Sequence, residues 1–256
     1  MNGYIPALVK VRIWALTEWN DNMKKSRILM FITLLALVPL TIFLGSKLPG
    51  RAYYLTMTLV LLEVMLPFFL SFEGRKPQAR ELVVIAVLCA LAVAGRVVIP
   101  IPNFKATYAI IMLSAVAFGP ETGFLIGAMA ALASNFFFGQ GAHTPWQMMA
   151  YGLSGLLIGF LFQKGWLKRK KLSMAILGAL SIVLLVGPLM DTGTALIELS
   201  VFNMEGLVAR YLSGLPVNLS QAAATFLVIF FLGNPFLEKL DRVKLRYGMM
   251  EEEDGI

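Results

Sequence analysis

The sequence holds one histidine, one cysteine and few charges for its length, and each shortage excludes something. Cys89 alone cannot build a disulfide framework. His143 alone cannot supply a typical multi-ligand metal site, so it reads first as a loop residue. Charged residues are 14% of the 256 positions, against roughly 25% in soluble domains. No G-x-x-x-x-G-K-[ST] run is present to cradle a nucleotide phosphate, and neither H-E-x-x-H nor G-x-S-x-G occurs. Carboxylates do not cluster within the apolar runs, so catalysis has little to stand on. A signal peptide is not expected, because the first apolar run begins only at residue 28, behind a basic segment.

What is abundant is apolar. Hydrophobic residues are 58% of the chain, with a mean hydropathy of +0.76. A helix needs roughly 17–25 mostly apolar residues to cross the hydrocarbon core of a bilayer. Clear runs lie at 28–44, 53–72, 82–99, 145–162 and 172–190, and weaker ones at 106–118, 123–138 and 216–232. The expected fold is therefore an all-α integral membrane protein with eight candidate spans. The run 106–118 is the weakest and could be re-entrant or tilted. Organisation follows from the breaks: a basic N-terminal segment and two-span hairpin at 1–72, and a cytoplasmic linker at 73–80. A six-span core follows at 81–237, then a cytoplasmic tail at 238–256.

Lysine and arginine set the expected orientation, because cytoplasmic loops carry an excess of both. With the N-terminus inside, the inner segments hold 17 of the 22 basic residues. They include Lys24, Lys25, Arg75, Lys76, Lys168 to Lys171, Lys239 and Arg246. Lys47, Arg51, Lys105 and Arg210 fall outside, and Arg96 within a span. The net charge of +7 is thus a topology signal first, with both termini cytoplasmic. Binding of nucleic acid is the poorer reading, since the basic residues are scattered over four membrane-flanking loops.

Helix faces add detail. Ala86, Ala90 and Ala94 recur every four residues and place small side chains on one face. That face suits either packing within this chain or docking on a separate membrane subunit. A second stripe reads Gly123, Gly127, Ala131, Asn135, and a third Gln147, Tyr151, Gly155, Gly159. Both stripes are small in their inner halves and polar in their outer halves. Polar groups in hydrocarbon are costly unless they face a bundle interior or a wet cavity. The expectation is two helices pressed together near the cytoplasm and splayed around a polar pocket outside, with the loop 139–144 at its mouth. Glu63 is an intramembrane carboxylate, a candidate for function or for pairing. Arg96 near its span's outer end can snorkel to the interface. The segment 191–211 is expected to fold onto the membrane surface or over the pocket.

The run Phe136-Phe137-Phe138-Gly139-Gln140-Gly141-Ala142-His143-Thr144-Pro145-Trp146-Gln147-Met148, followed by Tyr151-Gly152-Leu153-Ser154-Gly155, resembles the substrate-binding S component of an energy-coupling factor (ECF) transporter. So does the ladder Ala86/Ala90/Ala94 with Arg96 beyond it. The resemblance covers roughly residues 80–237. It implies a six-helix core that captures a vitamin from outside. It also implies a membrane coupling subunit that meets the alanine ladder, and two cytoplasmic ATPase subunits. ATP would be used by those partners, and the chain would need no cofactor of its own. The whole subunit would topple to deliver its solute. The N-terminal hairpin departs from the six-span pattern, and Ala142-His143 stands where other members have Pro-Trp. Within the family the Gly-Gln-Gly…Thr-Pro-Trp-Gln-Met version looks most like the cobalamin-linked subgroup. Asn135, Gln140, Gln147 and Asn203 would meet a corrinoid's amides, beside Phe136, Phe137, Trp146, Tyr151 and the loop residue His143. The same set would suit riboflavin. A membrane enzyme acting on lipid, or a scaffold without a ligand, are the competing classes.

Overall fold

The computed structural model describes residues 36–45, 79–198 and 203–247, with the single positions 32, 47, 56, 59, 60 and 63. Among these residues every regular element is helical. The chain divides into two compact units, Met1–Pro77 and Gln78–Ile256. In the first, helix α1 spans Val38–Gly45. The Thr41 hydroxyl donates to Glu63 Oε1 at 2.7 Å, which partners one carboxylate oxygen of that apolar unit. The full extent of the two expected spans at 28–72, the linker and the acidic end of the tail lie outside the described residues.

The second unit contains α2 (Ala79–Val97), α3 (Thr107–Phe118), α4 (Pro120–Phe138) and α5 (Thr144–Gln163). They are followed by α6 (Lys171–Ser181), a π-helical turn (Ile182–Val186), α7 (Gly187–Glu198) and α8 (Met204–Tyr247). Counting α6, the π turn and α7 as one rod gives six antiparallel passes, an integral membrane all-α core. Four of these rods are long and apolar enough to cross a bilayer: α4, α5, Lys171–Glu198 and α8. Helix α3 is not, since its 12 residues rise only about 18 Å. It sits at the centre instead. All of its residues are buried, because α2, α4, α5, α6 and α8 all pack against it. That explains its weak signal: a helix wrapped on all sides is apolar all round and need not reach both interfaces.

Small residues bring α4 and α5 together. A Cβ added to Gly127 would strike the backbone of Tyr151, and one added to Gly155 the backbone of Gly123. Gly159 lies equally close to the backbone of Pro120. The expected close packing of these two stripes is what the structure contains.

Segment 191–211 is where expectation and structure part. It does not lie flat; helix continues through Asp191–Glu198, and helix resumes at Met204. The apolar residues that suggested a surface segment, such as Leu196 and Leu207, sit on these helices, and the polar ones are satisfied within the helix or across the hairpin. The Thr192 and Thr194 hydroxyls donate to the carbonyls of Pro188 and Met190, four residues back, at 2.6 and 2.8 Å. Glu198 pairs with Arg210. The π turn lies just before Pro188, which has no N–H for the Leu184 carbonyl and so widens the ladder there. Helix α8 runs 44 residues, about 66 Å, and is longer than the hydrocarbon thickness of a bilayer.

This connectivity sorts the charges. Arg80, Lys164 to Lys171 and Lys239 to Arg246 gather at one end of the bundle, termed the Lys168 end. Arg96, Lys105 and Arg210 lie at the opposite, His143 end. At the Lys168 end, Arg169 donates to the Val116 carbonyl at 2.6 Å and pairs with Asp241 at 3.3 Å, tying α3 to α8.

Candidate solute site at the His143 end

The last turn of α4 supplies Ser134 and Asn135, and the first turn of α5 supplies Thr144 and Gln147. Between them Gly139 has φ +97°, a backbone angle that L side chains rarely adopt. The loop then closes on itself: the Thr144 N–H donates to the Gly141 carbonyl at 2.9 Å, and the Gly141 N–H to Thr144 Oγ1 at 3.2 Å. Pro145 stands in the first turn of α5, where the missing N–H costs nothing.

Asn135 is the hub. It is completely buried, and its Nδ2 donates to Gln147 Oε1 at 2.7 Å and to Thr144 Oγ1 at 3.1 Å. Its Oδ1 accepts from Arg96 Nη1 at 2.9 Å, and the same Nη1 donates to Ser134 Oγ at 2.5 Å. Gln140 is also spent at both ends of its amide. Its Oε1 accepts from the Thr144 hydroxyl at 2.9 Å, and its Nε2 donates to the Leu132 carbonyl at 3.0 Å. The helices therefore do not splay into an open polar cleft between α4 and α5. Their amides bridge the gap instead, as a buried polar group must when no water replaces its bonds.

Arg96, in the last turn of α2, is the residue this network holds. Its guanidinium lies 4.8 Å from the Phe138 ring centroid and 5.8 Å from that of Tyr151. Both are within cation–π range. Tyr151 packs in turn on Tyr108 of α3, with centroids 4.5 Å apart. Trp146 is only 2% exposed, and its indole abuts Gly193 of α7, where a Cβ would collide with it. Beside it, Asp191 Oδ2 accepts from Asn218 Nδ2 at 2.8 Å, and the Thr192 and Tyr211 hydroxyls bond at 2.8 Å.

The structure thus brings Asn135, Gln140, Trp146, Gln147 and Tyr151 to one end of the bundle, with half-buried His143 in the loop between. It sets Phe136 and Phe137 apart: they are 77% and 68% exposed, on the side of α4 turned away from Asn135. Asn203 lies at the same end, where its Oδ1 accepts from the Gly206 N–H at 2.7 Å and caps α8. Ala86 and Ala90 are exposed and Ala94 is half-buried, flanked by exposed Val83 and Val87. The ladder is therefore not a packing face within this unit. Sequence reading left Arg96 undecided, placed Thr144 only within the loop at the pocket's mouth, and passed over Ser134 and Tyr108. The signal for Arg96 was an arginine close to the polar end of a neighbouring helix. Among the described residues no three His, Cys, Asp or Glu side chains are grouped so as to hold a metal.

Comparison with known proteins gives these residues a context. The family described as "ECF-type riboflavin transporter, S component" matches residues 76–238, well over half of the chain. The matched stretch begins just before α2 and ends within α8, so it is the six-pass unit. The match gives no support to the cobalamin subgroup. A UPF0397 protein of Lactococcus lactis subsp. cremoris is 37% identical over 89 residues, 33% of this chain and 44% of that protein. One of Vibrio atlanticus is 29% identical over 125 residues, 46% of this chain and 68% of that protein. One of Clostridium perfringens is 43% identical over 65 residues, 24% of this chain and 33% of that protein. The chain thus aligns with less than half the length of the Lactococcus relative. No solved structure matches it. On the extent of the family match, this chain belongs to the S components of ECF-type riboflavin transporters.

Proposed function

We propose that the chain is the substrate-specificity subunit of an ATP-driven ECF importer, and that it captures a vitamin-type solute at the His143 end. The observation that carries this reading is the family match over the whole six-pass unit. The riboflavin-type family favours a flavin-like solute, a planar ring with polar substituents, over the corrinoid that the loop motif suggested. Trp146, Tyr151 and Tyr108 supply aromatic surface for such a ring, and Arg96 and Gln147 supply donors. The His143 end would face outside, which leaves the strongly basic Lys168 end in the cytoplasm in accord with the distribution of basic residues. A membrane coupling subunit would dock on Ala86, Ala90 and Ala94, of which the first two are exposed and the third half-buried. Two ATPase subunits would supply the energy, and this chain would transport rather than catalyse.

The direct test is to purify the tagged chain from its native membrane. Two ATPase subunits and a coupling subunit should accompany it, and a bound solute should appear by absorbance and mass spectrometry. A flavin spectrum is expected. A chain that purifies alone, and that binds neither riboflavin nor cobalamin in calorimetric titration, would end this reading.

A further inference from the structure

Hydrogen-bond capacity at the His143 end is unevenly spent. Asn135 is bonded to Thr144, Gln147 and Arg96, and Gln140 to Thr144 and the Leu132 carbonyl. Among the described residues Arg96 bonds only through Nη1, to Ser134 and Asn135, which leaves Nε and Nη2 without a hydrogen-bond partner there. No carboxylate among the described residues pairs with it, whereas Arg169 pairs with Asp241 and Arg210 with Glu198. Gln147 accepts through Oε1, and its Nε2 donor has no partner among the described residues. Asn135 joins the two, accepting from Arg96 at 2.9 Å and donating to Gln147 at 2.7 Å. What remains available is therefore all donor, carries a full positive charge, and is held in place from behind by a buried amide.

A half-buried guanidinium without a counter-ion among the described residues is costly, and the free Nε/Nη2 edge of the planar fork matches two oxygens of a carboxylate or phosphate. We infer that Arg96, with Gln147 beside it, is an anion-binding subsite: it takes an oxyanion group, phosphate or carboxylate. Resting on the reading of this end as a solute site, the inference narrows the solute to an aromatic vitamin-type molecule that carries such a group. The same chemistry is offered by the phosphate of a lipid headgroup, and the two sources can be separated.

The test compares wild-type protein with Arg96→Gln and Arg96→Lys in nanodiscs of zwitterionic phosphatidylcholine. Riboflavin and riboflavin 5′-phosphate share one ring and differ by the phosphate. Wild-type protein should bind the phosphorylated form more tightly. Arg96→Gln should weaken that form by about 10- to 100-fold, as expected for lost charge-assisted bonds, and weaken riboflavin by a clearly smaller factor, since only the phosphorylated form loses the ionic contact. Arg96→Lys should recover part of the loss, since charge remains and the fork does not. In a second arm, native mass spectrometry counts phosphatidylglycerol retained from mixed-lipid nanodiscs. Retention that depends on Arg96, without any phosphate preference among flavins, assigns the subsite to a lipid headgroup. A third arm follows thermal stabilisation by inorganic pyrophosphate and needs no flavin. If no vitamin binds but pyrophosphate stabilises only the wild type, the transport reading fails and the anion subsite stands. If Arg96→Gln matches wild type in all three arms while folding normally, the subsite is overturned.

Discussion

At the scale of single residues, Asn135 is the position on which most else depends. Its amide serves Arg96, Thr144 and Gln147 together and has no exposure of its own. Asn135→Ala should therefore cost stability through three stranded partners, at about 1–3 kcal/mol for each buried group that stays unsatisfied. A thermal melt in detergent would read it, beside His143→Ala as a control from the same loop. Asn135→Ala should melt several degrees lower and His143→Ala close to wild type. Equal melting points would mean that the network is not what holds α4 against α5 at this end. The sequence made the presence of these polar groups legible, since amides inside apolar runs demand an explanation. It did not make their bonding legible. Whether Asn135 faces a solute or Gln147 depends on distances of a few ångströms between separate helices, which no spacing along the chain encodes. Arg96 escaped for the same reason: its importance lies in what remains unbonded around it.

At the scale of helices, two small-residue stripes that look alike in sequence do opposite things. The Gly123/Gly127 stripe is consumed by contact with the backbone of α5. The Ala86/Ala90 stripe is exposed. Periodicity finds both and cannot separate them, because it reports a face and not what covers it. Substitution should separate them. Gly127→Leu places a bulky side chain where even a Cβ meets the backbone of Tyr151, so the helices must part and the melting temperature should fall steeply. The double variant Ala86→Leu/Ala90→Leu should melt as wild type and bind solute as wild type, yet lose the coupling subunit in pull-down. Retained assembly would move the docking surface elsewhere. Elements were otherwise legible wherever apolar runs had polar ends. At 191–211 the apolar residues that suggested a surface segment, such as Leu196 and Leu207, belong to helices that continue the neighbouring passes, and Thr192 and Thr194 return their hydroxyls to their own helix.

At the scale of the whole molecule, the six passes of the second unit alternate direction, and the basic residues of the α5–α6 loop and of the end of α8 therefore meet at one end. This is a consequence of connectivity: the α5–α6 loop and the end of α8 must share a face, and Arg169 bonds Asp241 across it. Which face of the membrane that end occupies is an electrostatic matter. Lysine and arginine resist translocation, so the end with Lys168, Arg169, Lys170, Lys239 and Arg246 should remain in the cytoplasm. The proposed solute site then opens outward, as capture from the medium requires. Single cysteines introduced into a Cys89→Ala background give the measurement. A membrane-impermeant maleimide added to intact cells should label a cysteine at Ala142, in the half-buried loop before α5, and one at Glu205, exposed in the first turn of α8. It should leave cysteines at Lys168 and Arg246 unlabelled until the membrane is opened. The reverse pattern would invert the protein, place Arg96 and its network on the cytoplasmic side, and be incompatible with an importer that loads there. A cysteine at Lys168 labelled together with one at Ala142 in intact cells would break the six-pass reading itself, since α5 alone separates the two positions and its 20 residues are long enough to span.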